Sequence, residues 1–143
     1  MVDSRTTAGG LALGTLAAAN AIGAGKDVEG VIEQIEATRN KLDTLIMVDT
    51  LEYLRKGGRI GGAQAWIGGA LKIKPLITLE ETVRPVEKVR TAGRAMQRLK
   101  DFASEKAASG EDITWPTQPI QAPELAAELA AHCREVFQCE GAF

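Results

Sequence analysis

Two glycine pairs in the stretch RKGGRIGG constrain the fold more than any other feature of the sequence. Gly57 and Gly58 follow the helix-forming residues LEYLRK, and both can adopt the positive φ that ends a helix. Arg59 is then presented from a tight turn. Gly61 and Gly62 would open a second helix, whose free backbone N–H groups attract anions. The pattern predicts either a close helix–helix corner or an anion site beside Arg59.

The same stretch does not fit the known phosphate-binding loops. Neither a GxGxxG nor a GxxxxGK spacing is present, and a helix precedes the glycines instead of a strand. Cys133, Cys139 and the single histidine, His132, do not have the spacing of a zinc site. We find no nucleophile–base pair and no paired carboxylates, so we expect no catalytic residue, no metal and no cofactor. Two thiols in a chain of this size favour the reducing cytoplasm.

Charge is distributed unevenly along the chain. Residues 49–100 carry a net charge of +6, whereas residues 1–48 carry −2 and residues 101–143 carry −6. One interpretation is that the basic segment pairs with the acidic C-terminal block. The other is that it forms a surface for an anion or an acidic partner.

An uncharged run of eighteen residues extends from Ala8 to Gly25. A signal peptide or a membrane span is an alternative for such a run. However, the run is rich in alanine and glycine, contains Thr15 and Asn20, and is not preceded by a cluster of positive charge. We therefore predict a buried helix with small side chains on its surface.

Hydrophobic periodicity predicts the order α-α-β-α-α-β-β-α-α, with a broken strand before the last helix. This order is typical of the α/β or α+β class. The predicted helices lie at residues 8–25, 27–42, 51–56, 61–71, 91–109 and 122–137, and the predicted strands at 43–49, 72–80, 83–90 and 112–121. The strands at 72–80 and 83–90 are close enough to form a hairpin.

The stretch VDTLEYLRKGGRIGGAQAWIGGALKIKPLITLEETVRPVEKVRTAGRAMQRL resembles the core signature of the DegV family. These are bacterial fatty-acid-binding proteins that serve as lipid-carrier subunits of fatty acid kinase. The opening VDSRTTAGGLALGTLAAANAIGAGKDVEGVIEQIE also resembles the family, in which a strand ending in Asp-Ser precedes two helices. The matching segments of the core are Leu51 to Leu54, Gly57 to Ile60, Gly61 to Leu71, Ile73 to Ile77 and Lys88 to Ala95.

The resemblance implies an α/β fragment of the DegV-like, EDD-type fold, with helices packed on a mixed sheet. Residues 1–42 would be a remnant of the first, Rossmann-like domain, and residues 43–143 would be the second domain. Members of the family are usually about twice as long as this chain. The N-terminal half of the first domain and the extreme C-terminal segment would be absent, and both contribute groups at the fatty acid carboxylate.

The resemblance also implies ligand and partner residues. A non-catalytic carrier would bind a long-chain fatty acid and present its carboxylate to the separate kinase subunit. Arg59 would be a ligand-binding residue near the tunnel mouth, in contact with the fatty acid carboxylate, with the phosphate or with the kinase subunit. The small-residue helices would let an acyl chain approach the backbone. The expected tunnel walls are Leu54, Ile60, Ile67, Leu71, Ile73 and Leu76. The expected kinase-facing cations are Arg59, Lys72, Lys74, Lys88, Arg90 and Arg94.

Two other functions remain open from the sequence alone. The first is a phosphate-ligand or nucleic-acid binder that uses the basic segment 55–100. The acidic pI of about 5.5 and the lack of a set of aromatic residues for base stacking beside the cations speak against nucleic acid. The second is a truncated homo-oligomer without lipid activity, in which other copies cover open sheet edges. The carrier hypothesis places the protein in the cytoplasm, with peripheral membrane contact as an option.

Overall fold

The computed structural model describes residues 1–68 and 73–142. The chain divides into two compact units, Met1–Thr44 and Leu45–Phe143. The boundary predicted from the sequence, between residues 42 and 43, lies two residues before this division. We describe each unit by itself.

Unit 1 consists of two helices, α1 (Ala8–Gly23) and α2 (Val28–Asn40). Asp27 caps α2, because its side chain accepts a hydrogen bond of 2.9 Å from the backbone N–H of Gly30. Gly25 has a φ of +76° and makes the turn between the helices. Residues 1–7 lead into α1 without forming a helix or a strand.

Unit 2 contains a three-stranded sheet in the order β1 (Ile46–Met47), β2 (Lys74–Leu79) and β3 (Val83–Val89). The predicted hairpin is confirmed as β2 and β3. We expected a mixed sheet, but the described strands pair only in antiparallel fashion. Three residues connect β2 to β3, and so short a connection can only reverse the chain, since a parallel pair needs a long crossover.

A β-bulge interrupts the hairpin. Leu76 pairs with Glu87 and Ile77 pairs with Pro85, so Val86 has no partner on β2. The extra residue reverses the alternation of side chains along β3. As a consequence, Val83 and Val89 are buried on opposite faces of the sheet although six positions separate them.

The sheet is covered on both faces. Helix α3 (Glu52–Lys56) and a 3₁₀ helix (Gly61–Trp66) belong to the layer on one face, where a cluster of buried residues surrounds Ile77. Helix α4 (Ala92–Ala107) lies on the other face, where Leu76 packs with Val89 and Ala95. We predicted a second helix over residues 61–71. The structure has a 3₁₀ helix that ends at Trp66, and residues 69–71 lie outside the described part.

Helix α5 (Pro123–Phe137) packs against α4. A third cluster fills the space between them, with Ala103, Trp115 and Cys133 buried. Residues 112–121, predicted as a broken strand, form neither helix nor strand. They nevertheless bring Trp115 into the core, with its ring centroid 6.0 Å from that of Phe137.

Candidate functional site

The RKGGRIGG turn is held directly against strand β3. Gly61 has a φ of +49°, and a Cβ atom at this position would collide with the backbone of Val83. A Cβ atom at Gly62 would press on the Pro85 ring at 3.2 Å. The second glycine pair therefore permits a close approach between the turn and the sheet edge. The 3₁₀ helix that follows has six residues, which is too short to supply a strong N-terminal dipole.

Arg59 is exposed on this turn. Its backbone N–H donates to the carbonyl of Leu54 at 2.8 Å, and Gly58 turns the chain with a φ of +69°. The guanidinium Nη1 donates back to the carbonyl of Gly57 at 2.5 Å. Within the described residues no carboxylate pairs with it. The turn thus presents an exposed cation from a rigidly placed backbone.

The six predicted wall residues do not form one surface. Ile60 is buried in the cluster around Ile77, and Leu54 packs against that cluster. Leu76 is fully buried on the opposite face of the sheet. Ile67 is 40% exposed, Ile73 is half-buried, and Leu71 lies outside the described residues. Contact of these positions with an acyl chain stays a prediction.

The predicted kinase-facing cations differ in their surroundings. Lys74 forms an ion pair with Asp49, with 2.5 Å between Nζ and Oδ1. Lys88 lies over the ring of Trp66, 4.8 Å from its centroid, in a cation–π contact. Arg90 and Arg94 are exposed and have no carboxylate partner in the part of the chain that the structure describes. Lys72 lies outside that part.

Other cations of the basic segment are neutralised internally. Arg98 contacts Glu87 and Glu105, both at 3.2 Å, and Lys100 contacts Glu128 at 2.6 Å. Internal pairing with the acidic C-terminal block therefore accounts for part of the charge asymmetry. The unpaired arginines remain as the cationic surface of unit 2.

Unit 1 contains a partly open groove of about 220 Å³. One wall is α1, where the small residues Gly10, Gly14 and Ala18 are spaced by four positions and face the groove. The opposite side is formed by Ile35 and Leu42. The lining is predominantly apolar, as in sites that accept hydrocarbon.

Polar groups are concentrated where residues 2–6 pass the groove. Val2, Ser4 and Thr6 all line it, as does Arg39 of α2. Arg39 donates from Nη1 to the carbonyl of Asp3 at 3.0 Å, which places its guanidinium beside Ser4. The Ser4 hydroxyl donates to the carbonyl of Thr6 at 3.2 Å. The groove therefore combines apolar walls with the Arg39 guanidinium and the hydroxyl groups of Ser4, Thr6 and Thr15.

Sequence reasoning did not find this group of residues. It did single out the small-residue helix as a surface that an acyl chain could approach. The four-residue spacing of Gly10, Gly14 and Ala18 was an available signal for a lined groove. No local pattern indicated that Arg39 donates a hydrogen bond to the carbonyl of Asp3, because the two residues are 36 positions apart.

Ser104 and His132 are the nearest approach to a nucleophile–base pair that we find in the described residues. The Ser104 hydroxyl lies 3.1 Å from Nε2 of His132, but the same nitrogen lies 3.2 Å from the carbonyl of Lys100. A carbonyl only accepts, so Nε2 must donate to it and cannot act as the base for Ser104. His132 thus joins α4 to α5.

Within residues 1–68 and 73–142, no cluster of three or more His, Cys, Asp or Glu side chains is arranged around a common point. Burial raises the pKa of the Cys133 thiol, which disfavours the reactive thiolate.

Among the helices that the structure describes, none is both long enough and apolar enough to cross a bilayer.

The family model described as "Uncharacterised protein, DegV family" matches residues 1–141. The chain belongs to the DegV family. A DegV domain-containing protein of Streptomyces coelicolor is 40% identical over 136 residues, which cover 94% of this chain and 48% of that protein. Protein DegV of Bacillus subtilis is 36% identical over 83 residues, which cover 57% of this chain and 30% of that protein. The chain thus spans at most about half the length of these relatives.

Solved structures of DegV proteins share the fold. A structure titled as fatty acid binding of a DegV family protein from Thermus thermophilus superposes with a TM-score of 0.72 at 27% identity. That match covers 98% of this chain and 50% of the other. The structure of DegV, a fatty acid binding protein from Bacillus subtilis, gives a TM-score of 0.75 at 28% identity, over 96% of this chain and 49% of the other. The helices and small antiparallel sheet are therefore an α/β fragment of the DegV fold.

Proposed function

We propose that this protein binds a long-chain fatty acid, with part of the acyl chain in the groove of unit 1. The observation that carries the proposal is the groove itself, which joins apolar walls to the Arg39 guanidinium. The solved relatives named as fatty acid binding support the same ligand class. A carboxylate accepts charge-assisted hydrogen bonds from a guanidinium group, and a hydrocarbon tail is stabilised by leaving water.

The size of the groove limits how much ligand it holds. Its volume of about 220 Å³ is smaller than the roughly 300–1,000 Å³ of sites that enclose a drug-sized molecule. We therefore place only the carboxylate and the first part of the chain there. The rest of the tail would lie on apolar surface outside this groove.

Titration of delipidated protein with palmitic acid tests the proposal. Gly14 lines the groove, and no atom lies within 4 Å of a Cβ added there. In Gly14→Leu the added Cβ would meet no atom and the longer side chain would take up space in the groove, so we expect at least a tenfold loss of affinity. Gly93→Leu is the matched control, since Gly93 is also helical with nothing within 4 Å, but it lies on α4. Native protein that binds no fatty acid, or a Gly14→Leu variant that binds like the native chain, contradicts the proposal.

We further propose that the bound carboxylate is presented to a separate kinase subunit. In that reaction a carboxylate oxygen attacks the γ-phosphorus of ATP, and the products are an acyl phosphate and ADP. The chain itself would contribute no catalytic group. Arg59, Arg90 and Arg94 are exposed cations that contact no carboxylate of the described residues, so they suit contact with an acidic partner or with developing phosphate charge. A carrier that works with an ATP-dependent kinase would act in the cytoplasm and meet the membrane at its surface.

The variant Arg59→Ala distinguishes binding of the fatty acid from presentation of its carboxylate to the kinase. We expect palmitate affinity to stay within twofold of the native value, whereas acyl phosphate formation by added fatty acid kinase falls at least tenfold. Lys56→Ala is the control on the same turn, because Lys56 is already paired with Glu52 at 2.7 Å. Equal acyl phosphate yields from Arg59→Ala and native protein would show that Arg59 does not contribute to presentation of the carboxylate.

A further inference from the structure

The groove of unit 1 is closed at one end. Gly10 lies at this end, where a Cβ atom would collide with Oγ1 of Thr6 and lie 3.3 Å from Cδ1 of Leu42. One turn further along α1, a Cβ atom at Gly14 would meet open space. Both glycines line the groove. The side chains of Thr6 and Leu42 therefore fill the space over Gly10, and the groove opens towards Gly14.

The charged group of the groove lies at the closed end. Nη1 of Arg39 donates to the carbonyl of Asp3, and Ser4 and Thr6 follow Asp3 within three positions. Oε1 of Glu36 lies 3.7 Å from Nη2 of Arg39, which is too far for a hydrogen bond. A guanidinium has five N–H donors, so Arg39 keeps donors for a ligand. A carboxylate held by Arg39 would therefore lie at the closed end.

The other end of the groove is apolar. Helices α1 and α2 run antiparallel, because a short turn over residues 24–27 joins them. Leu42 follows α2 and lies beside Gly10, so Ile35, seven positions earlier, lies further towards the C-terminal end of α1. Ala18 and Ile35 both line the groove. These two residues form the end that is remote from the closed one.

The row of small residues on α1 ends in a large one. Gly10, Gly14, Ala18 and Ile22 follow at intervals of four, which places them on the same face of the helix. Ile22 is the first large side chain in this row and is 63% exposed. It does not line the groove. A ligand that extends beyond Ala18 along this face would next meet Ile22.

The length of the groove indicates which ligands reach that far. Eight positions of helix separate Gly10 from Ala18, which corresponds to about 12 Å. An extended chain of bonded atoms advances roughly 1.2 Å per bond, as the polypeptide backbone does, so about ten carbons span this distance. A tail of about ten carbons would end near Ala18, whereas a longer tail would leave the groove.

We propose that Ile22 is a specificity-determining residue that favours fatty acids too long for the groove. This inference rests on the proposed function and adds a direction to it. The carboxylate lies at the Arg39 end, and the tail leaves past Ala18 and lies on the exposed side chain of Ile22. That contact removes apolar surface from water on both sides. An acid whose tail ends inside the groove does not gain this contact.

Calorimetric titration of delipidated protein with decanoic and palmitic acid tests the proposal. In Ile22→Ser we expect a loss of affinity of about fivefold for palmitic acid and of less than about twofold for decanoic acid, because only the longer tail contacts position 22. Leu16→Ser is the matched control. Leu16 is an apolar residue of α1 that is 45% exposed, but it does not line the groove and lies two positions from Ala18, on another side of the helix. It should leave both affinities unchanged.

Photo-crosslinking of the native protein tests the direction without a substitution. Palmitic acid that carries a diazirine at its methyl end should label the peptide that contains Ile22. The same acid with the diazirine next to the carboxylate should label residues 2–10. Peptide mass spectrometry identifies the labelled segments, and the reverse assignment would overturn the proposal.

The outcomes distinguish this inference from fatty acid binding itself. Equal losses for the two acids in Ile22→Ser, or no loss for either, would overturn the role of Ile22 and leave fatty acid binding standing. Native protein that binds palmitic acid but not decanoic acid would do the same, because the groove would then not hold the shorter acid. Native protein that binds neither acid would overturn the proposed function together with this inference.

Discussion

Gly61 packs against the backbone of Val83, so the turn that carries Arg59 is fixed to the edge of the sheet. This contact explains why the second glycine pair follows Arg59 so closely. The first pair ends α3, and Gly58 supplies the positive φ. The first pair therefore allows the helix to end, and the second allows the turn to approach the sheet. Alanine substitutions can distinguish these two roles.

Gly61→Ala should destabilise unit 2 more than Gly58→Ala. Both glycines have positive φ, which costs an alanine roughly 1–2 kcal/mol. A Cβ atom at Gly58 meets nothing within 4 Å, whereas at Gly61 it meets the Val83 backbone. We expect about 1 kcal/mol for Gly58→Ala and about 3 kcal/mol for Gly61→Ala, since overpacking adds roughly 1–3 kcal/mol. Urea unfolding followed by tryptophan fluorescence measures this, because Trp66 and Trp115 both lie in unit 2. Equal losses in the free energy of unfolding would show that the close approach of Gly61 to Val83 does not contribute to stability.

Leu76→Ala should be among the most damaging core substitutions. Leu76 is fully buried between β3 and α4, and removing its side chain leaves a cavity. Such changes cost about 2–5 kcal/mol. Val86→Ala is the control, because Val86 is the unpaired bulge residue and is 45% exposed. It should cost less than about 1 kcal/mol by the same unfolding assay. A small effect of Leu76→Ala would indicate that this position is not a packed core site.

Arg39→Gln should weaken binding of palmitic acid and leave binding of hexadecanol unchanged. A hydrogen bond to a charged group contributes about 1.5–3 kcal/mol, which corresponds to a loss of roughly 10- to 100-fold for the acid. The alcohol has the same tail and no charge. Lys26→Gln serves as the control, because Lys26 lies in unit 1 outside the groove. If both ligands lose affinity equally, Arg39 supports the groove and does not bind the carboxylate. Isothermal titration calorimetry measures the affinity of the native protein and of both variants for each ligand.

Cys139 should react with iodoacetamide at least ten times faster than Cys133 at pH 8. Cys139 is exposed, whereas burial both shields Cys133 and raises the pKa of its thiol. A raised pKa lowers the thiolate fraction at any pH below it. The neutral thiol is favoured in the folded state, so this stabilisation is present below the pKa of the unfolded thiol and is lost as pH rises through the folded pKa. Peptide mass spectrometry reports both rates, and in 6 M guanidinium chloride they should converge. Equal rates in folded protein would show that Cys133 is accessible.

Local sequence patterns were sufficient for most of the elements. Asp27 and Thr91 precede α2 and α4 and cap them through their side chains, with hydrogen bonds of 2.9 and 3.2 Å. The short polar turn between β2 and β3 predicted the hairpin. These features depend on residues within a few positions of one another, so they can be predicted from the local sequence. The length and order of the DegV signature also determined the family before any packing was known.

Only the tertiary structure decided which apolar residues share a core. Leu76 and Ile77 are adjacent, and both are buried, but the sheet places them in different clusters. The bulge at Val86 then sends Val83 and Val89 to opposite faces, which simple alternation along β3 would not predict.

The groove of unit 1 likewise depends on residues that are far apart in sequence. Arg39 reaches Asp3, and Gly10, Ile35 and Leu42 line the groove together. The sequence determined the helices, their caps and the glycines of the turn, because short-range backbone and side-chain preferences govern them. The packing of distant segments determined the site, because it alone sets which side chains share a surface and which are buried in the core.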